Sequence, residues 1–193
     1  MKVIAINGSA RKDGNTSLLI KKVFAELEND GIETEMIQLA GKKLPGCIGC
    51  YKCFENKDKK CAVTNDDMND VIEKMVSADG LILASPTYFA DCSASLKAVI
   101  ERAGFVARAN KNMFRLKPGA AITAVRRGGA IHTLDTINHF FDISEMITVG
   151  SSYWNIGIGR EIGAVETDEE GMSTMSTLGK NMSWLIKKIL EKH

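Results

Sequence analysis

Short apolar segments alternate with longer amphipathic segments along almost the whole chain. The apolar segments predict strands at Lys2–Asn7, Glu33–Leu39, Gly80–Ala84, Gly119–Val125 and Met146–Val149. The amphipathic segments, with apolar residues at helical spacing, predict helices over residues 16–29, 65–77, 93–107, 130–144 and 172–190. Each predicted strand is therefore followed by a predicted helix.

This alternation predicts a mostly parallel sheet with helices on both faces, because strands this apolar cannot leave a face in water. We predict one doubly wound α/β domain over residues 1–193, a three-layer sandwich, with a cysteine-rich loop inserted at about 44–64. Ligands of such sheets bind beyond the carboxyl ends of strands, so we expect function in the loops after the first, third and fourth strands. The glycine-spotted stretch Trp154–Gly171 is expected to be a surface excursion or an oligomer contact.

Composition and charge exclude several classes of function. The chain has 25 Lys and Arg against 24 Asp and Glu, so its formal charge of +1 gives no strong attraction to nucleic acid or to an anionic membrane. The first apolar run is too short for a signal peptide, and no segment approaches the ~20 apolar residues of a membrane span. We expect a cytoplasmic protein with neither nucleic-acid nor membrane partners.

The loop after the first predicted strand has the composition of a phosphate site. Its candidate ligands are Ser9, Arg11, Gly14, Asn15, Thr16 and Ser17. Hydroxyls and an amide at a helix N-terminus bind phosphate without excess charge, and Arg11 adds a cation. The loop lacks both the Walker ending and the dinucleotide glycine pattern, so a monophosphate ligand is favoured. The alternative is a tight turn at Ser9 and Gly14 with Thr16 capping the helix.

Four of the five cysteines are crowded into one predicted loop. Cys47, Cys50, Cys53 and Cys61 form a C-x2-C-x2-C-x7-C motif. Disulfides are disfavoured in a reducing compartment, and this spacing suits a [4Fe-4S] cluster. Structural zinc sites more usually separate two C-x2-C pairs by a longer spacer, yet zinc and metal-free cysteines both stay open as alternatives. Cys92 is expected to be a buried free thiol.

The segment Gly8–Thr16 resembles the phosphate loop of the flavodoxin-like NADPH-dependent FMN reductase superfamily. Ser85–Phe89, Ser93–Lys97 and Glu101–Arg102 resemble the family segment that holds the flavin ring, and Val125–Gly129 resembles the loop at the other end of the isoalloxazine. This resemblance implies a flavodoxin-like, five-stranded fold that binds FMN. It adds Pro86, Thr87, Tyr88, Phe89, Arg126, Gly128 and Gly129 to the candidate FMN ligands.

The cysteine motif, followed by Asp66, Asp67 and Met68, makes essentially the whole chain similar to the iron-sulfur flavoprotein branch of that superfamily. That resemblance implies a [4Fe-4S] cluster on the four cysteines beside FMN. It also implies ferredoxin as an electron donor, a small-molecule electron acceptor and a homodimer or homotetramer. The function implied is an electron-transfer oxidoreductase that passes electrons between cluster, FMN and acceptor.

Two other functions stay open. One is an NAD(P)H-dependent FMN or quinone reductase without a cluster, in which Arg126 and Arg127 could meet a 2′-phosphate. The other is a non-enzymatic flavodoxin-like redox carrier or a metal-binding sensor. No side chain is assigned a catalytic role, because the flavin itself carries the redox chemistry. His132 and His139 on the fourth predicted helix are expected to have surface or capping roles.

Overall fold

The computed structural model describes residues 1–190, which form a parallel sheet between two layers of helices. The strands are β1 (Lys2–Asn7), β2 (Glu33–Gln38), β3 (Gly80–Pro86), β4 (Pro118–Val125), β5 (Ile147–Thr148) and β6 (Ile156–Ile158). The helices are α1 (Asn15–Asn29), α2 (Lys52–Asn56), α3 (Met68–Ser77), α4 (Ala94–Ala109), α5 (Ala130–Ile143) and α6 (Glu169–Leu190). The strand order is β2-β1-β3-β4-β5, with β6 also paired to β4. The predicted doubly wound α/β fold is confirmed.

Burial on both faces explains why the strands are continuous apolar runs. In β1, the side chains of Val3, Ile4, Ala5 and Ile6 are fully buried. Val3 and Ala5 belong to the core that includes residues of α1 and α6. Ile4 and Ile6 belong to the opposite core, which includes residues of α3, α4 and α5. Successive side chains of one strand therefore fill two separate cores.

The segment Trp154–Gly171 joins the sheet near its beginning, at Ile156–Ile158, and there the prediction of a surface excursion is wrong. Its strand β6 pairs in parallel with β4, where Thr123 lies opposite Ile156. The predicted fifth strand is reduced to the two residues of β5, so β5 and β6 together form that edge of β4. A three-residue strand with a central glycine has too little period-two pattern to be detected in a sequence.

Two helices also differ from the sequence-based prediction. Helix α6 begins at Glu169 rather than Met172, because the Asp168 carboxylate accepts the Gly171 N–H at 3.0 Å and caps the first turn. The short helix α2 lies inside the cysteine loop, where no helix was predicted. Although α6 has 22 residues, no helix within residues 1–190 is long and apolar enough to cross a membrane.

Helices α1 and α6 approach closely at Gly179. A Cβ atom at this position would lie 2.7 Å from Glu26 Cβ and 2.8 Å from the Val23 carbonyl oxygen. We expect Gly179→Ala to lower the free energy of unfolding by about 1–3 kcal/mol, because overpacking outweighs the higher helix propensity of alanine. Urea denaturation measures this, with Gly150→Ala as the control, since nothing lies within 4 Å of a Cβ there. Equal unfolding midpoints for the two variants would contradict the close approach.

The parallel sheet brings the functional loops to one edge. Strands β1, β3 and β4 are adjacent, and their carboxyl ends at Asn7, Pro86 and Val125 lead into the loops that carry the candidate FMN ligands. The cysteine loop follows the carboxyl end of β2, the other neighbour of β1. The change of strand order at β1 is the switch point where ligands bind in open α/β sheets.

Candidate functional site

The loop after β1 is shaped by its own side chains. The Ser9 N–H donates to Asn7 Oδ1 at 3.0 Å, and the Arg11 N–H donates to Ser9 Oγ at 3.1 Å. The Gly14 N–H then closes the turn on the Arg11 carbonyl at 3.3 Å. No side chain caps the following helix α1, so its first N–H groups are left for another acceptor. This is the arrangement of an anion site.

Three loops meet around one open pocket. The Ala10 N–H donates to the Tyr88 hydroxyl at 2.9 Å, which joins the first loop to the loop after β3. The Thr87 N–H donates to the Ala124 carbonyl at 2.9 Å, which joins that loop to β4. Among the predicted ligands, the pocket is lined by Ser9, Arg11, Gly14, Asn15, Thr16, Pro86, Thr87, Tyr88 and Arg126. Its volume of about 290 Å³ lies close to the lower end of the range of small-ligand sites.

A second opening continues from this pocket between the loops after β3 and β4. Phe89, Arg127 and Gly128 line it, together with Tyr88 and Arg126. The Phe89 ring is 99% exposed. A flat aromatic ligand would cover such a ring, since aromatic pairs stack favourably. The two openings thus offer a phosphate end and an aromatic end.

Two predicted ligands have other roles in the structure. Gly129 lies outside both openings and precedes α5 with φ of 88°, a conformation that favours glycine. The Ser17 hydroxyl donates to Met36 Sδ at 3.7 Å in the interior, although its backbone N–H belongs to the uncapped first turn. Ser17 therefore fits a ligand through its backbone rather than through its side chain.

The Asn15 amide organises a wall of the pocket that the sequence analysis missed. Its Nδ2 donates to the carbonyls of Gly159 at 3.0 Å and Glu161 at 2.9 Å, and its Oδ1 accepts the Gly163 N–H at 2.9 Å. Gly159 and Arg160 consequently line the pocket. No local sequence signal marks them, because their position depends on a contact across about 145 residues of chain.

The four motif cysteines line a second cavity. Cys47, Cys50, Cys53 and Cys61 share it with Phe105 and Arg102 of α4. Residues Gly49 and Tyr51, both with positive φ, turn the chain between the first three cysteines. The backbone of Cys61 is fixed by Asn69, which accepts its N–H at 2.8 Å and donates to its carbonyl at 3.0 Å. The fold thus gathers a sulfur set from both ends of the loop.

The donor chemistry of this cavity fits an iron-sulfur cluster. Thiolates are the ligands of [4Fe-4S] clusters, and four cysteines line one cavity here. Four thiolates are also a zinc ligand set, so the sulfurs alone do not select the metal. Among residues 1–190, no three Cys, His, Asp or Glu side chains are grouped closely enough to hold a metal ion. Burial also raises the pKa of Cys53, so this thiol is protonated at neutral pH unless a metal binds it.

Glu101 and Arg102 lie at the cysteine cavity, which corrects their expected place beside the flavin ring. The Glu101 carboxylate accepts the Cys47 N–H at 3.3 Å. Arg102 forms a buried ion pair with Asp66 at 2.6 Å. Burial raises the pKa of Asp66, but the hydrogen bonds from Arg102 outweigh it, so the net shift is downward and the carboxylate stays ionised. Neighbouring residues of one helix face different directions, so the motif alone did not place these two residues at the cysteine cavity.

Cys92 is a free, half-buried thiol beside the loop after β3, where it packs against the core. Burial is the main cause that raises its pKa to about 11, with the Asp91 carboxylate adding to the effect. We expect alkylation at pH 8 to be roughly a hundredfold slower than for a thiol at 9.0, because the thiolate fraction falls tenfold per unit. The rate should rise as the pH approaches 11.

Peptide mapping by mass spectrometry after iodoacetamide treatment measures this rate. The urea-unfolded chain is the control, because unfolding removes the burial and restores ordinary reactivity. Equal rates for Cys92 in the folded and unfolded chains would contradict the burial effect.

The two histidines of α5, His132 and His139, are both exposed. The His132 Nε2 atom lies 3.7 Å from the Asp91 carboxylate.

Comparison with known proteins agrees with this geometry. The strand order and the open pocket beyond β1, β3 and β4 define a flavodoxin-like α/β protein. An archaeal flavodoxin superimposes with a TM-score of 0.64 at 13% identity, covering 97% of this chain and 99% of its own. The structure of RosB with a bound 8-demethyl-8-formylriboflavin-5′-phosphate intermediate gives a TM-score of 0.74 at 20% identity, covering 99% of this chain and 81% of its own. These likenesses confirm the flavodoxin-like fold.

Sequence similarity is more specific. Residues 1–161 match the model of the NADPH-dependent FMN reductase family. An iron-sulfur flavoprotein of Methanocaldococcus jannaschii is 39% identical over 98% of this chain and 99% of its own length. The chain therefore belongs to the NADPH-dependent FMN reductase family and, within it, to the iron-sulfur flavoproteins. It is an FMN-dependent oxidoreductase, as the sequence predicted.

Proposed function

We propose that this oxidoreductase transfers electrons between a [4Fe-4S] cluster held by Cys47, Cys50, Cys53 and Cys61 and an FMN in the pocket beyond β1, β3 and β4. The observation that carries the proposal is that all four motif cysteines line one cavity. When bound, the cluster would supply one-electron transfer and FMN would supply two-electron transfer. The iron-sulfur flavoprotein relatives support the same pairing of groups.

The chain offers each end of FMN a suitable partner. The uncapped first turn of α1, the Thr16 side chain and the exposed cation of Arg11 suit the phosphate. Tyr88 and Phe89 suit the flavin ring, and Arg126 and Gly128 border it from the loop after β4. These residues bind and orient the cofactor, and no proton transfer by a side chain is required of them.

Helix α4 links the two sites. It begins at Ala94, directly after the loop that carries Tyr88 and Phe89, and Arg102 and Phe105 reach the cysteine cavity farther along the helix. Eight residues of helix from Ala94 to Arg102 span about 12 Å. A rigid helix of this length supports a fixed separation of cluster and FMN.

The surface of the cysteine loop suits an acidic one-electron carrier such as ferredoxin. Residues 42–60 carry six lysines against two carboxylates, and all eight side chains belong to exposed residues. The chain as a whole has a formal charge of only +1, so positive charge is concentrated here. Opposite charges steer association and raise its rate.

We expect Lys57→Glu to slow reduction by ferredoxin about tenfold at low ionic strength, because the substitution reverses one charge of this surface. Stopped-flow absorbance measures the rate, and Lys180→Glu on the distant helix α6 is the control of equal charge change. Salt should shrink the difference between the two variants. Identical rates at low salt would contradict docking at the cysteine loop.

A second candidate function is reduction of FMN by NAD(P)H without a cluster. The exposed Arg126 and Arg127 at the mouth of the aromatic opening favour it, since arginine pairs bind phosphate groups well. In either function, the open face beside Phe89 gives a small-molecule acceptor access to the flavin ring. The proposed FMN pocket is common to both functions.

We further propose that the chain forms a homodimer or homotetramer in the cytoplasm. The exposed rings of Trp154 and Trp184 support self-association, because large apolar side chains mark interaction surfaces. Five free cysteines support a reducing compartment. Light scattering after size-exclusion chromatography tests the assembly, and a monomer at micromolar concentration would count against it.

The proposed function is tested on anaerobically purified protein by iron, sulfide and flavin analysis. We expect about four iron and four acid-labile sulfide per chain with stoichiometric FMN. Ferredoxin should reduce the iron-dependent absorption before or together with the flavin bands. Flavin without iron, bleached rapidly by NAD(P)H, would overturn the cluster proposal and favour the second candidate.

A further inference from the structure

The buried side chain of Arg102 forms several hydrogen bonds with the cysteine loop and with the residues on either side of it. Its side chain is 1% exposed and that of Asp66 is fully buried. Nη1 donates to Asp66 Oδ2 at 2.6 Å and to the Pro45 carbonyl at 3.3 Å. Nη2 donates to the Val63 carbonyl at 3.1 Å. One guanidinium thus ties together the chain before Cys47 and the chain after Cys61.

The same group contacts a ligand sulfur. Nη2 donates to Cys61 Sγ at 3.2 Å, and the second oxygen of Asp66 lies 3.3 Å from this nitrogen. Sulfur ligands of iron-sulfur clusters keep the capacity to accept hydrogen bonds, and such bonds change the reduction potential. Arginine is always protonated in proteins, so this donor is permanent.

We propose that Arg102 is a positioning residue that places Cys61 as the fourth cluster ligand and raises the reduction potential of the cluster. This inference rests on the proposed function, because it requires the cluster. The N–H directed at Sγ stabilises the more negative, reduced state of the cluster. Asp66 balances the buried cation, so it limits the size of that effect.

The two members of the pair therefore have opposite effects on the potential. Asp66→Asn keeps an oxygen for Arg102 but removes the compensating charge, so the cluster should become easier to reduce. The double variant Arg102→Met/Asp66→Asn removes the donor without leaving an unpaired buried charge, so the cluster should become harder to reduce. A purely structural pair would give no such reversal of sign.

The test is a spectroelectrochemical titration of the reconstituted holoprotein and these variants, with iron and FMN content measured on each. In the double variant we expect the ratio of reduced to oxidised cluster at a fixed potential to fall about tenfold, which is a shift of about 59 mV for one electron. Asp66→Asn should shift the ratio in the opposite direction. Arg108→Met is the matched control, since Arg108 is an exposed arginine on the same helix.

The rate of iron loss is a second measurement on the same kind of samples. Arg102→Lys keeps a buried cation but cannot make all these bonds at once, so we expect it to retain FMN and to lose iron faster to a chelator than Arg108→Met does. Loss of iron from the double variant with FMN retained would support the positioning role. Potentials and iron contents equal to those of the control would overturn the inference. A wild-type chain without iron would overturn the proposed function and this inference together.

Discussion

Cys50→Ser is expected to reduce the iron content from about four per chain to less than one, with FMN retained. Cys50 lines the cavity that the other three motif cysteines share, and a serine hydroxyl is a poor substitute for a thiolate ligand. The pocket that carries the candidate FMN ligands contains no residue of the cysteine loop, so flavin binding should survive. Iron and sulfide analysis with an absorption spectrum measures both outcomes.

The matched control for this substitution is Cys92→Ser. Cys92 is the fifth cysteine, lies outside the cysteine cavity and follows the loop after β3. The Cys92→Ser variant should keep the full iron content and the broad absorption beneath the flavin bands. Equal iron in the two variants would show that the four-cysteine motif does not hold the metal.

Asn15→Ala is expected to weaken FMN binding about tenfold and to lower the free energy of unfolding by about 1–3 kcal/mol. The substitution removes the three hydrogen bonds that hold the backbone of Gly159, Glu161 and Gly163 against α1. Without them, the wall of the pocket formed by Gly159 and Arg160 loses its anchor. Quenching of free-flavin fluorescence measures binding, and urea denaturation measures stability.

Asn181→Ala controls for the general cost of losing an amide. Asn181 makes one hydrogen bond to the Gly150 carbonyl at 2.9 Å and lies on exposed surface. We expect it to leave FMN affinity unchanged and to cost about 0.5 kcal/mol. An FMN affinity of Asn15→Ala equal to that of Asn181→Ala would mean that the segment around Gly159 contributes nothing to binding.

Hydrophobic pattern predicted most of the fold because its signal is local. The strands β1, β3 and β4 are long apolar runs, and α1 and α4 carry regular apolar spacing, so each element can be found within a window of a few turns. The strand β6 escaped because its three residues include a glycine and because its stability comes from pairing with β4. The start of α6 was misplaced because its cap is the side chain of Asp168, which precedes the apolar pattern.

The site also has features that the local sequence predicts and features that depend on tertiary contacts. The loop composition of Ser9 to Thr16 and the cysteine spacing predict phosphate and cluster chemistry, because those groups require particular atoms close together in the chain. As ligands of FMN and of iron, these residues remain predictions. The fold does bring them together at two openings beyond neighbouring strands.

The sequence by itself determined the order of the strands β1 to β5 and of the five long helices, the loops that carry chemistry and the four sulfur atoms. Only the tertiary structure decided that Arg102 faces Cys61, and that the Asn15 side chain bonds to the backbone of Gly159. The physical reason is the separation along the chain between the residues that interact. Periodicity and motifs record contacts within one element, whereas these hydrogen bonds join residues separated by 41 and 144 positions, and only the packed sheet brings them within bonding distance.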